Sequence, residues 1–347
     1  MGKKANKNRS EEKINNYIDQ SAESDKGLSK LEKSRRKIVV RQIKKIFRAI
    51  DILFATAQNS CPHVKKDDAE NLIAENDIVY DESLSDVCRL DFYRDKSEQK
   101  QPAIIIIHGG GFTAGDKKFR KGRAQFFAIN GFSVFCINYG LAPDFLYPDP
   151  LKHIVSAVNY VYDSADRFNI DVNKIFVDGD SAGAYYAAMV SVINSSEKLK
   201  TILGCAPKFK FFGALLNCGV YDLDSALDKN SIMYRFADGV ILSLTGIHAK
   251  DLDKYEYRDC CAPIDFVTSN FPPCFLIYSD NDIFCNGQGN IMVDKLNKNS
   301  VYLEYFSARY HGSNHCFSLT WSGDDAAAAN ELTLSFAKRL AADKIKF

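Results

Sequence analysis

The chain has 347 residues, with 45 Lys and Arg against 44 Asp and Glu, and 46% hydrophobic residues. A chain this long buries enough surface to fold without disulfide or metal staples, and its composition is globular rather than disordered or collagenous. The net charge of +1 argues against a nucleic-acid partner, because binders of nucleic acid are usually strongly basic.

The charge is unevenly spread. Residues 1–48 carry 15 basic and 6 acidic side chains, while the rest of the chain carries 30 and 38. This is the pattern of a basic arm on a mildly acidic body. Residues 1–27 are polar throughout and are expected to form a disordered tail. No apolar stretch follows the first lysines, so no secretory signal is expected. Asn6 stands where N-myristoylation needs Ser or Thr. The most apolar runs, 102–107 and 133–137, are far shorter than the ~20 residues of a membrane span. The ten cysteines include no C-x-x-C pair, so neither a zinc site nor a redox motif is indicated. Reduced thiols and a cytoplasmic location are the matching expectation.

Residues 28–75 form the next segment. Ile38, Val39, Ile43, Ile46, Phe47, Ile50, Leu53 and Phe54 recur at helical steps from about Leu28 to Ala57, with Arg41, Lys44, Lys45 and Arg48 opposite. Asn59-Ser60-Cys61-Pro62 ends the helix, since a residue before proline is pushed out of the α region. The apolar face is expected to pack on the protein's own body. Weak contact of the basic arm with an anionic surface is the alternative, without stable membrane insertion. A homodimer is also compatible with the sequence.

From about residue 76 short strands alternate with helices. Ile78–Tyr80 and Cys88–Tyr93 read as a strand pair around the polar turn 81–86. Ala103–Ile107 is a continuous apolar run, as in a central strand covered on both faces. Phe132–Asn138, Lys174–Asp178, Phe211–Cys218, Cys274–Ser279 and Val301–Phe306 are the further strands. Leu151–Phe168, Ala184–Ile193 and residues 325–343 read as helices, and residues 220–260 as a helical insertion. The alternation predicts a mainly parallel sheet with helices on both faces.

Gly179-Asp180-Ser181-Ala182-Gly183 fits G-x-S-x-G between a strand and a helix. That context makes a nucleophile elbow: a tight turn lifts the Ser181 hydroxyl out at the carboxyl edge of the sheet. His108-Gly109-Gly110-Gly111 follows the strand 103–107. Consecutive glycines let the backbone aim N–H groups at a developing negative charge, with the Ala182 amide as the remaining donor. His108 is expected to brace this loop. No G-K-[ST] follows the glycines, so a phosphate loop is not indicated. An acyl-transfer serine also needs a carboxylate and a histidine, in the order Ser, Asp, His. Asp280 and Asp282 follow strand 274–279, and His311 and His315 follow strand 301–306. Asp282 and His315 are preferred, with Asp280 and His311 as alternatives.

From about residue 76 onward the chain resembles the α/β-hydrolase superfamily, most of all its hormone-sensitive-lipase-like and bacterial carboxylesterase branch. The matching segments are Leu90–Tyr93, HGGGF at 108–112, NYGLAPDFLYPDP at 138–150, GDSAG at 179–183, SDND at 279–282 and HCF at 315–317. The resemblance implies an α/β-hydrolase fold with a helical cap, and a catalytic domain 76–347 carrying a cap insertion near 220–260. It implies nucleophile Ser181, acid Asp282 and base His315, with Gly110, Gly111 and Ala182 as the oxyanion hole, and no cofactor or metal. His315 fits best because Phe317 follows it after one residue, as is usual in the family. The chain departs from the family at Ala184 after the elbow, at Gly140 after Tyr139, and at Cys316, where a small residue is usual. The implied activity is hydrolysis of short- to medium-chain carboxylic esters. A peptidase or amidase on the same triad, or a non-catalytic ligand-binding homologue, are the alternatives.

Overall fold

The computed structural model describes residues 29–59, 61–309 and 312–345, with residues 53–59 described by their backbone only. The basic tail 1–27 and His311 therefore lie outside the described residues.

One sheet organises the molecule. Its strands are β1 (Ile73–Val79), β2 (Arg89–Arg94), β3 (Gln101–Ile107), β4 (Ser133–Ile137), β5 (Ile170–Asp180), β6 (Gly213–Asn217), β7 (Cys274–Ser279) and β8 (Leu303–Ala308). They lie in the order β1-β2-β4-β3-β5-β6-β7-β8. The β1–β2 and β2–β4 pairs are antiparallel, and every pair from β4 to β8 is parallel. This is the α/β-hydrolase arrangement expected of the sequence.

The central strands are apolar on both faces because helices cover both. Ala103–Ile107 is at most 1% exposed at every position. Ile105, Ile107, Val177 and Leu216 point into one core with the helices Asp149–Asp163, Ala182–Ile193 and Gln288–Lys298. Ile104, Ile106, Phe176, Leu215 and Phe275 point into the other, with the helices Lys121–Ala128 and Asp324–Ala341. Side chains that alternate across a strand thus feed two separate cores.

Two strands begin earlier than their apolar residues suggest. β1 starts at Ile73 and runs through exposed Ala74, Glu75 and Asn76, since an edge strand needs no apolar face there. β5 starts at Ile170, where its polar Asp171 and Asn173 flank a register irregularity against β3.

The helix Lys30–Asn59, here α1, follows the predicted span closely. Its buried stripe is narrower than the apolar period implies. Ile43 and Phe47 are buried, with Val39 and Ile50 partly so, whereas Ile38 and Ile46 are 54% and 43% exposed on its flanks. Residues at spacings of three and four share a face, and 39, 43, 47 and 50 form that row. The stripe packs on the helix Tyr234–Thr245, here α2, through Val39 and Ile43 against Gly239. Arg36 donates to the Gly246 carbonyl at 2.9 Å, and Lys44 pairs with Asp144 at 3.1 Å. The apolar face therefore packs on the body of the protein. No described helix is long and apolar enough to cross a membrane.

Candidate active site

β5 delivers Ser181 at the carboxyl edge of the sheet, and the helix Ala182–Ile193 leaves immediately. Ser181 has φ +53° and ψ −121°, a strained conformation for a side chain with a Cβ. The flanking glycines make the turn sterically possible. A Cβ on Gly179 would stand 2.3 Å from the Gly183 carbonyl oxygen, and one on Gly183 would stand 2.0 Å from the Ile107 oxygen. The Ser181 N–H donates to the Asn217 carbonyl at 2.8 Å, which fixes the turn to β6.

The loop after β8 brings His315 to this serine, 134 residues away in sequence. His315 Nε2 lies 2.8 Å from Ser181 Oγ, and Nδ1 lies 2.8 and 3.0 Å from the two Asp282 oxygens. This assigns the proton to Nδ1 and leaves Nε2 to accept from the serine hydroxyl. Asp282 is 2% exposed. Its Oδ1 also accepts the Phe284 and Cys285 N–H groups at 2.8 Å each. Burial raises its pKa, but the facing His315 and these donors outweigh burial and hold the carboxyl below its usual range. Asp280, the alternative acid, is exposed and faces Arg309 at 3.9 Å. The alternative base His311 is outside the described residues.

The glycine loop lies beside the serine. Gly109 N–H donates to Asp180 Oδ2 at 3.1 Å. Gly110 and Gly111 take φ of +125° and +57°, and no protein acceptor among the described residues takes their N–H groups or that of Ala182. His108 is buried beneath the loop. Its ring stacks on Tyr139 with centroids 4.5 Å apart, and Nδ1 lies 2.7 Å from the Gly109 oxygen. Burial pushes its pKa down to about 4, so the ring is neutral near pH 7. This is the bracing role expected for it.

Several contributors to the site escaped the sequence reading. Arg120 Nε and Nη2 each bond Asp180 at 2.6 Å, with both side chains buried. This bidentate pair locks the residue before Ser181 and, through Gly109, the glycine loop. One helical turn on, Arg123 grips Asp178 at 2.6 and 2.9 Å. Asp51 on α1 is buried near Arg120 and Asp180, and burial lifts its pKa to about 6. The one sequence signal for these groups is an acid in the apolar row of α1 and two arginines three residues apart.

A cavity of about 520 Å³ opens at Ser181, lined among others by Phe47, Phe112, Tyr185, Leu223, Phe236 and Ile241. α1, α2 and the insertion after β6 roof it. Phe47 lies over Gly111, where a Cβ would meet the ring at 2.0 Å, so glycine is required there on steric grounds as well. Phe47 also packs on Phe236 and Phe284, and Phe284 meets the His315 ring edge-on with centroids 5.1 Å apart. Such an apolar chamber beside a few polar atoms suits a small organic ligand.

Comparison with known proteins agrees with this architecture. A sequence model of the BD-FAE family matches residues 90–296, more than half of the chain. The chain is 26% identical over 229 residues to an acetyl esterase of Salmonella choleraesuis, which spans 62% of this chain and 65% of that protein. Among solved structures it is similar to esterase B of Lactobacillus rhamnosis, with a TM-score of 0.76, 19% identity, and 90% and 98% of the two chains covered. An esterase of Pyrobaculum calidifontis superposes with a TM-score of 0.64 at 19% identity, covering 92% and 100%.

Proposed function

The chain belongs to the BD-FAE family of the α/β-hydrolase superfamily, and from that membership we propose that it is a serine carboxylesterase acting on short- to medium-chain esters. The observation that carries the proposal is the unbroken relay from Asp282 through His315 to the Ser181 hydroxyl, at 2.8 Å for each link. The acetyl esterase relatives and the esterase fold neighbours support it.

In this reading Ser181 Oγ attacks the ester carbonyl carbon while His315 Nε2 takes its proton. Asp282 holds the imidazole in the Nδ1–H tautomer and stabilises the imidazolium that forms. The N–H groups of Gly110, Gly111 and Ala182 donate to the oxyanion of the tetrahedral intermediate. Collapse of that intermediate breaks the bond to the alcohol oxygen, which leaves with the proton from His315. Water then attacks the acyl-serine, His315 again serving as base, and the carboxylic acid and free serine are regenerated.

The apolar lining of the chamber and its volume of about 520 Å³ support an acyl or alcohol part of a few carbons rather than a long triglyceride. The domain division forms part of the proposal: a cap segment 28–75, a catalytic domain 76–347, and a cap insertion near 220–260. Its support is that α1 and α2 roof the chamber together. The cytoplasmic reading rests on ten cysteines of which none is in a disulfide. A p-nitrophenyl ester series from acetate to laurate, run beside peptide anilides, tests the whole. Turnover peaking at the shorter esters, abolished in a folded Ser181→Ala variant, is expected. Retained turnover in that variant, or anilide cleavage exceeding ester cleavage, overturns it.

A further inference from the structure

Three thiols that ester hydrolysis does not use stand close to the His315 imidazole. Cys218 follows β6, Cys285 follows Asp282, and Cys316 is the neighbour of His315. Cys218 Sγ, Cys316 Sγ and a ring nitrogen of His315 all lie within 4.8 Å of one another. Both cysteines hold left-handed backbone, with φ of +49° at Cys218 and +52° at Cys316. Such conformations are uncommon outside glycine and asparagine and persist where surrounding structure enforces them. The Cys218 N–H is pinned to the Ile277 carbonyl at 2.8 Å. Cys316 and His315 line a second, smaller cavity of about 50 Å³ that also touches Ser181.

We propose that Cys218, Cys316 and His315 form a binding site for a thiophilic divalent cation, Zn²⁺ or Cd²⁺, whose occupancy switches off the neighbouring serine. Two thiolates and one imidazole are a donor set that favours these ions over Mg²⁺ or Ca²⁺. Tetrahedral bonds of about 2.3 Å to sulfur and 2.1 Å to nitrogen put donor atoms roughly 3.5 Å apart, so closing the site needs only side-chain adjustment. Binding releases two thiol protons to solvent, involves no redox change, and leaves water in the fourth position. Either nitrogen of His315 produces the same effect: a bond at Nε2 ends the contact to Ser181, and one at Nδ1 ends the contact to Asp282. Asp282, Cys285 and His315 form a competing set with the same spacing. It is disfavoured because the Asp282 oxygens already serve the Phe284 and Cys285 amides and His315. The inhibitory half of the proposal rests on the serine-hydrolase reading, whereas the binding half does not.

Two measurements in a non-thiol reductant test it. Cd²⁺ is titrated into full-length Ser181→Ala protein while the thiolate-to-cadmium charge-transfer absorption is recorded. A saturating band that is lost on adding Cys218→Ser or Cys316→Ser is expected; a band unchanged by both refutes the site. In the second, Zn²⁺ is titrated against ester hydrolysis by the wild-type chain. Inhibition reversed by a chelator, with the half-inhibitory concentration raised at least about tenfold by Cys218→Ser and by Cys316→Ser but not by Cys285→Ser, is expected. Equal inhibition of all variants overturns the proposal. Cys316→Ala, the kind of small residue usual at that position in the family, replaces Cys316→Ser if circular dichroism shows that variant unfolded. A wild-type chain without esterase activity sinks the functional reading, and the cadmium titration still decides the site.

Discussion

The buried pair Arg120–Asp180 allows a quantitative test of how the elbow is held. Asp180→Asn keeps the shape of the side chain and removes its charge, so a guanidinium that is 3% exposed loses its bidentate carboxylate. Breaking one partner of a buried pair costs about 3–5 kcal/mol. With an unfolding entropy of about 2.1 cal/mol/K per residue, the 347-residue chain has roughly 0.7 kcal/mol/K, so the thermal midpoint falls by about 4–7 °C. Ester turnover is expected to fall as well, because Gly109 loses a charged acceptor at 3.1 Å and the glycine loop slackens. A displacement near 1 Å in such a loop costs up to about 10²-fold in kcat. Scanning calorimetry and p-nitrophenyl butyrate kinetics on Asp180→Asn, Arg120→Met and the double variant complete a cycle. The double variant removes the charge of both partners, so a coupling energy near 2 kcal/mol is expected. A midpoint shift below about 2 °C, or strictly additive single losses, refutes the account.

Asp282→Asn stabilises the wrong imidazole tautomer and should lower kcat on the order of 10⁴-fold, read by the same ester assay. It should also change acid stability: the Asp282 pKa is lowered in the folded protein. The carboxylate therefore stabilises the fold above its unfolded pKa, and this contribution is lost as pH falls through the folded value. Thermal midpoints measured downward from pH 5 should thus fall less steeply in the variant. Asp51 runs in the opposite sense. With a folded pKa of about 6 against 3.8 unfolded, its ionisation penalises the fold progressively as pH rises through that window. Asp51→Asn should therefore raise the midpoint at pH 8 and lose that advantage near pH 4; an equal shift at both pH values would contradict the burial argument. Phe47→Ala should open the chamber roof, move the optimum of an ester series toward longer or bulkier acyl groups, and lower stability by about 3 kcal/mol, as for other buried Phe truncations. An unchanged chain-length profile would separate α1 from substrate selection.

Much of the sheet was legible because its central strands are buried on both faces, so that Ala103–Ile107 and Cys274–Tyr278 appear as unbroken apolar runs. The elbow and the glycine loop were legible for a steric reason: close backbone approach admits few residues besides glycine, and that restriction is local in sequence. The preference for Asp282 over Asp280 had no support in burial, since a two-residue step past a strand end turns the side chain from solvent to core only in three dimensions. Arg120 and Asp51 escaped for a related reason. A buried charge carries no sign of its burial until its partner, 60 residues away for Asp180, is placed beside it. Ile38 and Ile46 were assigned to a buried face that proved one row narrower, because the packing partner of a helix sets the width of its stripe. His315 itself lies beyond residues 90–296, the span of the family match, which covers Ser181 and Asp282 alone of the proposed triad.

α1 also lies outside that span. It places Phe47 in the chamber wall and Asp51 beside the elbow, yet it supplies none of the proposed reacting groups. Part of the chamber wall thus comes from a stretch separate from the one that carries the proposed triad. Exchanging the segment ahead of β1 replaces that part of the wall, along with its packing on Gly111 and Phe284, and leaves every residue of the proposed triad in the chain.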